Sequence, residues 1–204
     1  MHLNELSNQK LKKKYLKFLK TQEVLSEPFR DKIGQLNNFY LPLSKMIHKT
    51  YLKKKRTLVI GLTGGQGAGK STISNILKII LKEFLNLETL IFSIDDFYKT
   101  LKERKIMSKK ISPLFMTRGV PGTHDTRLLL NCIKKLKNSK FEKVIIPKFN
   151  KSTDDRFSKK KWFKVNKKPH IVIFEGWCVG AKPQKNKDLL IHTNELEKYK
   201  DKKK

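Results

Sequence analysis

The chain is poor in acid, in arginine, in cysteine and in long apolar runs. Its 204 residues hold 18 Asp and Glu against 47 Lys and Arg, a formal net charge of +29. Such a balance points first to nucleic acid. The scarcity of arginine argues against a tuned interface: six of the basic residues are Arg and 41 are Lys. Bidentate phosphate and base contacts favour Arg. Lysines spread along the whole chain, beside many Ile and Asn, read as compositional drift. They give a solvated basic surface with nonspecific attraction to polyanions, and specific nucleic-acid binding is not expected. Cys132 and Cys178 lie far apart and show no metal-type spacing, so both read as reduced thiols. No apolar run is long enough to span a bilayer. The opening MHLNELSNQKLKKKYLKFLK lacks the compact apolar core of a signal peptide. A cytoplasmic protein with no membrane association is expected. Hydrophobic residues, at 38%, suffice for one domain with a core.

What is present divides into three parts. Residues 1–55 read as a basic helical segment, with Leu11, Tyr15, Leu16, Phe18 and Leu19 approximating one face and a second helix over about Leu41–Leu52. The first of these helices is expected to pack on the main domain. Residues 56–190 alternate strands with helices. Apolar runs at Leu58–Leu62, Thr89–Ile94, Val144–Ile146 and Ile171–Phe174 read as buried strands. Helical patterns cover Ser71–Phe84, 99–109 and Leu128–Leu136, and a long loop starts at Pro113. The expectation is an α/β fold with a mostly parallel sheet. Residues 191–204 read as a lysine-rich, solvated tail.

Gly64-Gly65-Gln66-Gly67-Ala68-Gly69-Lys70-Ser71 fits G-x-x-x-x-G-K-[ST]. Glycines let the backbone wrap closely, so that N–H groups point at phosphate oxygens. The helix that follows, through Thr72, adds the positive end of its dipole. Lys70 can reach the outer phosphates, and the Ser71 hydroxyl can join a Mg²⁺ shell. The flanking strand and amphipathic helix supply the context this motif requires. The expected ligands are therefore a polyphosphate and Mg²⁺.

Two strands end in acid: IFSIDDFY puts Asp95 and Asp96 after one, and IVIFEGW puts Glu175 after another. Ligands gather at the carboxyl ends of strands in open α/β sheets. An acid there can serve Mg²⁺ or act as a base. Asp95 is the preferred base, because Phe97 and Tyr98 follow as pocket walls; Asp96 is the near alternative, and Glu175 is assigned to Mg²⁺. On the acceptor side, TRGVPGTHD carries Arg118 for an anion and His124 or Asp125 for hydroxyls. Asp125 reads equally well as the cap of the next helix. In IPKFNKSTDDR, Lys148 and Arg156 could neutralise a carboxylate or the transferring phosphate; Arg156 is preferred, because lone lysines such as Lys148 and Lys151 usually belong to the surface in this chain.

Together GLTGGQGAGKST, SIDDFYKT, SPLFMTRGVPGTHD, IPKFNKSTDDR and IFEGWCVGAKPQ resemble the glycerate 3-kinase group of P-loop kinases, related to uridine kinase, pantothenate kinase and phosphoribulokinase. The resemblance runs from about Leu41 to Gln184. It implies a three-layer P-loop NTPase fold and an ATP- and Mg²⁺-dependent kinase of a small hydroxylated acceptor, D-glycerate first. It also implies Asp95 as base, Glu175 as Mg²⁺ support and Arg156 on the substrate side. Members of the group usually continue well beyond the E-G-W-C stretch into a cationic lid. The chain therefore reads as truncated at its C-terminus. Two expectations follow from that: a nucleotide-binding remnant with little transfer, or a complementing C-terminal chain; a further alternative, a P-loop protein associated with nucleic acid, rests on the charge alone.

Overall fold

In the computed structural model, residues 5–24, 28–119, 121–192 and 194–200 are described. Val120 of TRGVPGTHD and residues 201–204 of the predicted tail lie outside them.

The N-terminal lysines sit on the outer side of helix α1 (Glu5–Gln22), whose Leu11, Tyr15 and Leu19 are buried at a four-residue spacing. A spacing of four returns to one helix face, so the lysines between them stay in water. Asp31 caps the short α2 (Lys32–Gln35), accepting from the Gly34 N–H at 3.0 Å. A π-helical turn (Leu36–Tyr40) leads into α3 (Leu41–Lys54), with Pro42 in its first turn.

The central elements follow: β1 (Leu58–Thr63), α4 (Lys70–Leu85), β2 (Thr89–Ser93), a 3₁₀ turn (Ile94–Phe97) and α5 (Leu101–Lys110). Thr100 and Glu103 form a reciprocal capping box at the start of α5. Then come a 3₁₀ turn (Pro113–Met116), α6 (Thr126–Lys137), β3 (Val144–Ile146), β4 (Phe149–Asn150) and β5 (Asp155–Arg156). β6 (Phe163–Val165), β7 (Ile171–Gly176) and α7 (Glu195–Lys200) complete the order.

The main sheet has the order β1-β7-β2, and both pairings are parallel. β7 is apolar on both sides because it is covered on both. Ile171 and Ile173 pack into one core with α1, α3 and α4, and Val172 and Phe174 into a second with α6, β3 and β6. Helix, sheet and helix thus form three layers. The N-terminal segment belongs to the first core, where Lys10 and Lys14 reach Glu83 of α4 at 3.4 and 2.6 Å. One predicted strand lies elsewhere. β3 is not in the parallel sheet but pairs antiparallel with β6. Its burial explains this: Val144 and Ile146 are buried and Ile145 is exposed, an alternation suited to a ribbon with one wet face.

The register brings the carboxyl ends of the three strands level. Glu175 lies opposite Leu62 on β1 and opposite Ser93 on β2. The glycine-rich loop and the Asp95-Asp96 turn therefore start on either side of Glu175.

Candidate active site

The loop after β1 turns on Gly67 and Gly69, whose φ angles of 78° and 73° lie in the left-handed region that glycine adopts without strain. Gly69 caps α4, and the Ile73 N–H returns to its carbonyl at 2.9 Å. The Lys70 ammonium donates to the Gly65 carbonyl at 2.6 Å, curled over the loop. Gln66, Gly67, Lys70 and Ser71 face a cleft of about 800 Å³. Gly64, Gly65, Ala68, Gly69 and Thr72 shape the loop and the first turn behind them without lining it.

Glu175 joins this loop to the sheet. Its Oε1 accepts from the Ser71 hydroxyl at 2.9 Å, and its Oε2 from the Ser74 hydroxyl at 3.1 Å. Ser74 is wholly buried and escaped the sequence reading; its signal is its place one helical turn after Ser71. The donor set of Ser71 and Glu175, a hydroxyl beside a carboxylate, suits a hard cation such as Mg²⁺. That ion takes one or two protein oxygens and fills its shell with phosphate and water. Among the described residues there is no cluster of three or more His, Cys, Asp or Glu.

Across the cleft, Asp95 and Asp96 stand on the 3₁₀ turn, which Ser93 caps by accepting from the Asp95 N–H at 3.2 Å. Both line the cleft. Asp95 is met by the Lys151 ammonium at 2.9 Å. Asp96 is met by that of Lys148 at 3.3 Å and by the Phe149 N–H at 3.4 Å. Both lysines face the site, Lys148 as one sequence reading allowed and Lys151 against its reading as a surface residue.

The remaining wall is built on Tyr98 and Phe149, whose rings meet edge-on at 5.2 Å. Burial, and then the neighbouring Asp95 carboxylate, push the Tyr98 phenol well above its ordinary range, so it stays protonated. His124 stacks on Tyr98 at 4.3 Å behind the cleft. Burial lowers its pKa against an opposing pull from Asp95, which leaves the imidazole neutral at neutral pH. Its buried Nε2 has no hydrogen-bond partner among the described residues.

Of the acceptor-side residues read from sequence, Asp96, Tyr98 and Arg118 line the cleft; His124, Asp125 and Arg156 do not. Arg156 donates to the Tyr98 carbonyl at 3.0 and 2.7 Å and pairs with Asp125 at 3.4 Å. Asp125 also caps α6, accepting from the Leu128 N–H at 3.0 Å. Arg118 pairs with Asp154, and Asp154 is also held by Arg104 at 2.9 Å. Arg104, read from sequence only as one of six arginines, is the largest wholly buried side chain among the described residues. It donates to the carbonyls of Lys99 (3.3 Å), Met116 (2.8 Å) and Asp154, and its guanidinium lies 5.9 Å from the Phe149 ring centre.

The chain is similar to several known proteins. A family model described as the Phosphoribulokinase / Uridine kinase family matches residues 59–190. The uncharacterized kinase mug58 of Schizosaccharomyces pombe is 37% identical over 146 residues, covering 68% of this chain and 52% of its own length. The chloroplastic D-glycerate 3-kinase of Arabidopsis thaliana is 34% identical over 134 residues, covering 62% of this chain and 29% of its own. Among solved structures, the D-glycerate 3-kinase of Cryptococcus neoformans var. grubii superposes with a TM-score of 0.65 at 27% identity, over 74% of this chain and 56% of that one. The chain spans about half the length, or less, of these curated relatives. With the glycine-rich loop, the acid-ended strands and the family match all in one domain, the chain belongs to the phosphoribulokinase and uridine kinase family.

Proposed function

We propose that the chain is an ATP- and Mg²⁺-dependent kinase that phosphorylates a small hydroxylated metabolite, D-glycerate to a phosphoglycerate in the leading case. One observation carries this reading: the phosphate loop and Asp95 open into the same cleft from the ends of β1 and β2, on either side of β7. That is the placement phosphoryl transfer needs, with the donor held by the loop and an acid beside the acceptor.

In this reading, the loop backbone and Lys70 hold the polyphosphate. Ser71 and Glu175 would hold Mg²⁺, which when bound neutralises phosphate charge. Asp95 orients the acceptor hydroxyl and takes its proton as that oxygen attacks the γ-phosphorus. The bond from the γ-phosphorus to the β–γ bridging oxygen breaks, and ADP leaves with the bond's electron pair. Tyr98 keeps its proton and can donate to the acceptor. Glycerate as acceptor is supported by the names of the relatives and by a cationic cleft wall; a cytoplasmic setting goes with the two free thiols.

The test is turnover of ATP by the purified chain with Mg²⁺, with and without D-glycerate, detecting phosphoglycerate directly. Product should require glycerate and vanish in Lys70→Ala. Asp95→Asn should lower kcat by about 10²- to 10⁴-fold while ATP binding persists. Retained transfer would remove Asp95 from the role. ATP binding without product would point to another acceptor, or to a second polypeptide needed in trans.

A further inference from the structure

Lys148 and Lys151 flank β4, the short strand that brings Phe149 into the wall of the cleft. Phe149 is anchored from several sides: the Tyr98 ring at 5.2 Å and the guanidinium groups of Arg104 and Arg118, each 5.9 Å from its ring centre. The backbone between the two lysines is thus fixed, while their side chains, 55% and 65% exposed, remain long and solvated. Each ammonium rests on one of the two acids of the Asp95-Asp96 turn.

That pairing sets up an exchange. If Asp95 is to receive an acceptor hydroxyl, Lys151 must give up part of its hold on the carboxylate. The Lys151 end of the pair is well solvated although Asp95 is partly covered, so water screens the contact and can replace the ammonium. The freed ammonium then lies within the same cleft, next to the acceptor's other atoms. A neutral acceptor offers it nothing. An acceptor that carries its own carboxylate replaces what was lost. Arg118 is less free to do this, because Asp154 already holds it. Lys70 sits on the other side, over the phosphate loop.

We propose that Lys148 and Lys151 are the specificity pair for an acidic acceptor, exchanging Asp96 and Asp95 for the carboxylate of a small hydroxy acid. The inference rests on the kinase reading for what the cleft holds, but it concerns binding and is tested by binding.

The experiment compares the chain with its K148M/K151M variant, using D-glycerate and glycerol as probes and ADP present. Glycerol replaces the carboxylate by a neutral alcohol. Calorimetry gives both affinities, and titration with ATP gives the nucleotide affinity of each protein. The chain should bind glycerate well above glycerol, and the variant should lose about 10- to 100-fold in glycerate affinity, the range expected when hydrogen bonds to a charged group are removed. ATP affinity should stay within about twofold, since the loop is untouched. The K148M and K151M single variants, each with a thermal melt, separate loss of binding from loss of fold.

Three results would overturn the inference: glycerate affinity unchanged in the variant, ATP affinity lost as much as glycerate affinity, or a wild-type chain that binds glycerate no better than glycerol. Glycerate binding that depends on the lysines but yields no phosphoglycerate would leave the pair standing and count against transfer by this chain on its own. Transfer to glycerol without preference for glycerate would do the reverse.

Discussion

Arg104 shows how far one side chain's influence reaches. Its guanidinium satisfies three carbonyls from three segments and one carboxylate, all without exposure to water. Arg104→Met would strand those acceptors and leave Arg118 as the only arginine on Asp154. We expect a loss of about 3 kcal/mol in stability, in line with breaking a buried, hydrogen-bonded charge, read from denaturant titration. Arg104→Lys should recover only part of it, because an ammonium cannot span the same fork of acceptors. A variant within about 0.5 kcal/mol of the parent would show that the hub is dispensable. The residue was legible in principle: it is an arginine kept in LKERKIMSKK, a helix otherwise given over to lysine. The opposite case is Lys148 and Lys151. In a chain with so many lysines the residue type carries little information: Lys148 could be named only as a weak candidate, and the fold of β4 is what brings it and Lys151 to the cleft. Arg156 looked distinctive for its rarity, yet its guanidinium is engaged by the Tyr98 carbonyl and Asp125.

At the level of elements, the glycine-rich loop, its flanking strand and helix, and the acid-ended strands could be read directly. Each is local, and its residue types follow from backbone geometry or burial. What was not legible is pairing. The apolar run of β3 looked like another parallel strand, because hydrophobicity does not reveal the neighbour that a strand will find. The end of β7 is a site where two elements meet closely. A methyl group on Gly176 would fall 2.4 Å from the Ile94 side chain, next to Asp95. Gly176→Ala should therefore push the 3₁₀ turn away from β7. Overpacking of this kind destabilises by about 1–3 kcal/mol. Measured Tm should fall, and under the proposed function transfer should fall more than ATP binding does. Unchanged Tm with unchanged turnover would mean that Ile94 repacks freely.

Across the whole molecule, the charge of +29 acts as a field rather than a site. A field of this kind draws polyanions without reading them. Two RNAs of equal length and unrelated sequence should bind equally, with affinities that fall together as salt rises. A preference beyond about tenfold at fixed salt would indicate sequence-specific contacts. The layering of the sheet has a different consequence, and it concerns birth rather than binding. β7 is the middle strand but the last of the three to be made. Until it emerges, β1 and β2 have no partner to lie against, and their apolar edges stay open. Pairings between segments so far apart in the chain form slowly. Partly made chains with open strands are the kind that aggregate or recruit chaperones. A ribosome paused between Ser93 and Ile171 holds two adhesive strands and nothing yet to put between them.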